Sequence, residues 1–137
     1  LENVKNCFGY LYGLAEVKQL VSVIGFCFGG TYSFSLAVNE PRLKLALAFY
    51  GHADYSVEEL KKINCPVRAF YGKNDEGLTS QTQVLPNKME QASVNYEQKI
   101  YPDCGHAFFN DSNKFAYNSA AANDAWRVVL GELAKLS

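Results

Sequence analysis

Residues 43–50 read Leu-Lys-Leu-Ala-Leu-Ala-Phe-Tyr, a nearly unbroken apolar run after the turn Asn39-Glu40-Pro41. A strand this apolar has to be covered on both faces, which is what helices do for a parallel sheet. Three further short segments read as strands: residues 20–25, 66–71 and 96–101. The last alternates apolar and polar residues, as an edge strand does. Helical patterns separate them. Residues 1–18 place Leu1, Val4, Phe8, Leu11 and Ala15 on one face, with Gly9 and Gly13 weakening the helix. Residues 28–38, a short helix opened by a Ser56/Glu59 capping box, and residues 84–92 follow. Pro86 fits the last of these only in its first turn. The final helix, about 118–136, carries an expected apolar stripe of Ala122, Trp126, Val129, Leu133 and Leu136. The expected fold is therefore α/β, a single domain of about four parallel strands flanked by helices and joined by right-handed crossovers.

The strongest chemical signal is Gly25-Phe26-Cys27-Phe28-Gly29-Gly30, between a strand end and a helix start. This is the nucleophile-elbow pattern with cysteine as the nucleophile. Gly25 and Gly29 stand two residues to either side of Cys27, where side chains would crowd a tight turn. Gly30 lets the helix approach the sheet. A sulfur at a helix N-terminus is favoured as thiolate, the attacking species. The backbone N–H of Phe28 would point to a developing oxyanion. The competing reading is a buried structural cysteine beside a glycine-rich turn. The glycines do not form the G-x-G-x-x-G of a dinucleotide site.

A hydrolase of this kind needs an acid and then a histidine, in that chain order. The sequence holds two histidines. His106 follows the last strand, in a loop where a base can reach the elbow. His52 precedes any suitable acid and is expected at the pocket rim. Asp75 lies four residues past the end of strand 66–71, placed to orient the imidazole, with Glu76 its neighbour and rival. Cys27, Asp75 and His106 thus fall at the C-terminal ends of three of the four strands, where open α/β sheets bind ligands. Tyr50, Phe108 and Asn110 are expected to line the substrate site.

The net charge of −1 disfavours nucleic acid or an anionic membrane as a partner. No apolar run approaches the ~20 residues of a membrane span, and no signal peptide opens the sequence. The four cysteines form no C-x-x-C pair, so neither a zinc site nor a redox motif is expected, and a reducing, cytoplasmic setting is.

The segments Gly25–Gly30, Tyr71-Gly72-Lys73-Asn74-Asp75, Gly105-His106-Ala107-Phe108-Phe109-Asn110-Asp111 and Asp124-Ala125-Trp126 resemble the dienelactone hydrolase family of α/β-hydrolases, from about Val21 onward. The resemblance implies Cys27 as nucleophile, Asp75 as acid and His106 as base. It also implies cleavage of a small ester or lactone through an acyl-cysteine, with no cofactor. It makes the chain the C-terminal part of that fold. The N-terminal strands, which carry a second oxyanion donor, a carboxylate that influences the cysteine and a substrate-binding arginine, have no counterpart here. The dienelactone-specific enzymes also have arginine where this chain has Asn110. Strand 20–25 would then be an open edge, so a homodimer or a complementing N-terminal segment is expected there. Two other classes compete: a non-catalytic half-fold that pairs with another chain, and a thiol-redox protein using Cys27 and Cys104.

Overall fold

A computed structural model describes residues 1–136. The elements run α1 (Glu2–Tyr12), β1 (Ser22–Phe26), α2 (Phe28–Asn39), β2 (Leu45–Phe49), α3 (Val57–Leu60), β3 (Val67–Gly72), α4 (Thr79–Gln91), β4 (Tyr96–Tyr101) and α5 (Ser119–Ala134). The four strands form one parallel sheet in the order β1-β2-β3-β4. Every residue of β2 and β3 is buried, which is why their sequences are apolar throughout. β4 alternates and closes one edge. β1 forms the other, with Leu20, Ile24 and Phe26 exposed along it.

Helix α1 is shorter than its apolar pattern suggests. It ends at Tyr12 with Gly13 as C-cap, and a 3-10 turn at Ala15–Val17 follows. Lys18 and Gln19 take left-handed backbone angles that no continuous helix could pass through. Phe8 alone of this helix is buried, and the Arg42 guanidinium lies over the Phe8 and Tyr12 rings at 5.2 and 4.7 Å. The Ser56/Glu59 capping box is present at the start of α3.

Two helical expectations need correction. Pro86 lies inside α4, eight residues into it and not in its first turn. Proline cannot donate to the carbonyl four residues earlier, that of Thr82. The Gln98 side chain on β4 donates to that carbonyl instead, at 2.8 Å. In α5 the buried positions are Ala121, Ala122, Ala125, Val129 and Glu132, while Trp126 and Leu133 are exposed. The helix is turned so that Glu132 reaches Arg68 on β3 at 3.3 Å, and both are buried. A buried charge needs a partner, and that requirement sets the rotation of the helix.

Candidate active site

The site is assembled where β1, β3 and β4 end. Cys27 joins β1 directly to α2 with φ 57° and ψ −117°, a conformation that costs energy in any residue with a side chain. The chain folds this way because a Cβ on Gly25 would run into the backbone of Gly29 and Gly30. A Cβ on Gly30 would strike the Phe49 carbonyl and Gly51, so Gly30 sets the approach of α2 to the end of β2. Gly29 is different from the expectation: a Cβ there would meet nothing within 4 Å. Its backbone, not the space around it, is what crowds the turn.

Asp75 and His106 are brought together by two loops fastened to each other. Lys73 N–H donates to the Tyr101 carbonyl and Asn74 N–H to the Cys104 carbonyl, both at 2.9 Å. Gly72 allows this, since a Cβ there would collide with the carbonyls of Cys104 and Gly105. Downstream, Asn118 N–H donates to the Phe108 carbonyl, and the Asn118 side chain caps α5 by accepting from Ala121 N–H. Asp124 on α5 accepts from the Tyr101 hydroxyl at 2.9 Å and pairs with Lys99 at 2.6 Å. The histidine loop is therefore held at both ends.

Cys27 Sγ lies 3.1 Å from His106 Nε2, and His106 Nδ1 lies 2.6 Å from Asp75 Oδ2. Cys27 and His106 are exposed and Asp75 is buried. The hydrogen bond from His106 holds the Cys27 thiol below its ordinary pKa, and the Phe28 N–H at the start of α2 adds to this against the opposing effect of burial. For His106, burial disfavours the imidazolium, but the bonds to Cys27 and Asp75 outweigh it and the pKa is raised. The two shifts widen the pH range in which thiolate and imidazolium coexist. Glu76, the rival to Asp75, is exposed and makes no such contact.

A cavity of about 740 Å³ opens beside Cys27. Tyr50 and Asn110 line it, as do Phe26, Phe109, Tyr117 and Trp126. The Tyr50 ring lies 4.9 Å from the His106 ring, its backbone has φ 39°, and burial together with the Cys27 charge pushes its pKa up to about 12. Phe108 is a correction. It is fully buried, packs on Phe49, Tyr50 and Tyr101, and has no part in the cavity wall. Phe109 takes the place expected of it. Ala107 has φ 62°, and this left-handed residue reverses the phase of the two aromatics in a way their identities do not reveal. His52 lines a separate depression with Asp54 and Lys88, away from the Cys27 cavity. Phe26, Phe109 and Trp126 are wall residues the sequence reading missed. All three sit within the segments that carry the family resemblance, which was the signal available for them.

All four cysteines are free thiols. Cys104, which a redox pair with Cys27 would need, is buried at 2% exposure. Among the described residues no cluster of side chains could hold a metal ion, and no helix is long and apolar enough to cross a membrane.

The chain is similar to known proteins. The profile described as the dienelactone hydrolase family matches residues 5–137. A protein of Saccharolobus solfataricus named "Putative carboxymethylenebutenolidase" is 37% identical over 121 residues, covering 88% of this chain and 46% of its own. An Escherichia coli K12 protein of the same name is 31% identical over 125 residues, covering 84% of this chain and 45% of its own. The chain thus spans under half the length of these curated relatives. Among solved structures, a dienelactone hydrolase-like promiscuous phosphotriesterase from metagenomic libraries superposes with a TM-score of 0.78 over 85% of this chain and 52% of that one, at 20% identity. With four parallel strands, an elbow after the first and a profile match across nearly its whole length, the chain belongs to the dienelactone hydrolase family.

Proposed function

We propose that this chain carries the nucleophile, base and acid of a hydrolase that opens small esters or lactones through an acyl-cysteine intermediate. The observation that carries the reading is the continuous line Cys27 Sγ–His106 Nε2–Asp75 Oδ2, with gaps of 3.1 and 2.6 Å. The Cys27 thiolate attacks the carbonyl carbon, and the π electrons move onto oxygen, which the Phe28 N–H faces. As the tetrahedral intermediate collapses, the C–O bond of the ester breaks. The His106 imidazolium gives its proton to the departing alkoxide, leaving a thioester on Cys27. His106, now neutral, takes a proton from water, which attacks the thioester. The carboxylic acid departs and the thiolate is restored. Asp75 keeps the imidazole in the tautomer with Nε2 toward sulfur and stabilises the imidazolium.

The relatives' name brings lactones into the proposed substrate class. Asn110 offers no positive charge, so uncharged esters are preferred over carboxylate-bearing lactones. A tenfold preference for the carboxylated lactone, about 1.4 kcal/mol in transition-state binding, would reverse this. The apolar open edge of β1 favours a second chain or a complementing N-terminal segment paired along residues 1–25, which would supply the second oxyanion donor. Light scattering on a size-exclusion column decides the pairing: a stable monomer of 15.3 kDa with full activity would refute it.

Hydrolysis of p-nitrophenyl acetate, with the acyl group trapped on Cys27 and identified by mass spectrometry, tests the reaction. Turnover that survives Cys27→Ala would discard the mechanism.

A further inference from the structure

We infer that the cavity beside Cys27 is shaped for a flat, uncharged aromatic ring, carried as either the acyl or the alcohol part of the ester. This rests on the hydrolytic reading above and narrows it to a substrate class. Phe26, Phe49 and Phe70 occupy paired positions on three adjacent strands. Their rings stack at 4.5 and 4.4 Å with interplanar angles of 25° and 22°. The row ends at Phe26, a residue 37% exposed that stands one position before Cys27. Phe109 tilts against it at 5.2 Å, and Trp126 stands 6.0 Å beyond Phe109. Three rings from β1, the histidine loop and α5 therefore converge on one cavity, and each lines it.

The packing fixes these rings before any ligand arrives. Phe26 is clamped by the row behind it, and Trp126 rides on a helix tied to β4 through Asp124. Aromatic pairs favour centroid separations of 4.5–7 Å in offset or tilted geometry, and the cavity of about 740 Å³ that these mutually packed rings line has room for one more ring against them. A saturated ring of similar size fills the space but lacks the edge and face charges that such pairing uses. The polarity of the wall selects further. Besides Cys27, Asp111 is the only charged side chain lining the cavity, and no lysine or arginine does so among the described residues. A negatively charged ring substituent would meet Asp111 and have no counter-ion.

Trp126 is the sole tryptophan of the chain, so its fluorescence reports occupancy directly. Cys27→Ala protein is titrated with two pairs of uncleaved esters: benzyl against cyclohexylmethyl acetate, and methyl phenylacetate against methyl cyclohexylacetate. In at least one pair the aromatic member is expected to bind about fivefold more tightly. Phe109→Leu in the same background, checked for folding by circular dichroism, should bring that ratio below about twofold. The 4-carboxybenzyl acetate should bind more weakly than benzyl acetate, and Asp111→Asn should narrow that gap. Equal affinities within both pairs, or a ratio unchanged by Phe109→Leu, overturn the inference. Turnover of the same esters by the parent protein is scored separately. Selective binding without hydrolysis would remove the hydrolytic reading and leave the ring site standing.

Discussion

The two ends of the Cys27–His106–Asp75 line are held by different physics. Cys27 is presented by a backbone bent into a costly conformation, and the bend survives because Gly25 leaves room for the Gly29 backbone. Asp75 and His106 sit on ordinary loops laced together by the Lys73–Tyr101 and Asn74–Cys104 bonds, with Gly72 permitting the approach. The Cys27 end depends chiefly on exclusion of atoms, and the Asp75–His106 end on directed hydrogen bonds for which Gly72 leaves room. A steric device fails abruptly when one atom is added. A hydrogen-bonded device fails by degrees.

The largest effect should come from deleting the groups at either end. Cys27→Ala is expected to reduce ester hydrolysis to background, and His106→Ala to lower kcat on the order of 10⁴-fold, in stopped-flow or steady-state assays. A His106→Ala protein retaining more than a tenth of the activity would break the equivalence of the two ends.

Next in size, Asp75→Asn should lower kcat by roughly 10²- to 10⁴-fold with KM little changed, since the tautomer suffers and not the pocket. A change confined to KM would show Asp75 to be a wall residue.

Glycine substitutions sharpen the contrast further. Gly25→Ala must displace backbone and should cost about 1–3 kcal/mol in urea unfolding, with activity lost alongside. Gly29→Ala, in a helix with open space around it, should be neutral or more stable by up to about 1 kcal/mol. Equal losses at both positions would reject the steric account of the elbow.

The smallest effect is a shift in titration. The His106 hydrogen bond is the main cause lowering the Cys27 pKa, so thiolate persists to lower pH than in a free cysteine. In His106→Ala the midpoint of iodoacetamide alkylation should therefore move up in pH, toward the ordinary thiol value. A midpoint that stays put would assign the lowering to the α2 N-terminus and the Phe28 N–H.

Much of this was legible from the sequence because each chemical group stands next to the feature that positions it. The glycines flank Cys27, the β3 strand ends three residues before Asp75 is reached, and β2 and β3 are too apolar to be anything but central. Illegible features depended on partners distant in the chain or on local backbone that the residue types do not mark. Trp126 and Glu132 exchange expected roles because Arg68, far away on β3, needs a carboxylate. The start of α4 is the polar stretch Thr79-Ser80-Gln81-Thr82-Gln83, with no side-chain cap and no apolar period to mark it. Phe108 and Phe109 are alike in character, and the left-handed Ala107 between His106 and them decides which is inside.

The proline within α4 has a mechanical consequence. By vacating the Thr82 carbonyl it creates a socket that the Gln98 side chain fills. Sliding α4 along β4 by one residue would empty that socket and leave an acceptor and a donor both without partners, so the helix is keyed to the strand at one setting. Opening one element should then loosen the other, and amide protons of α4 and β4 would exchange as a single cooperative block. A gap in one helix's own bonding thus serves as a latch between two elements.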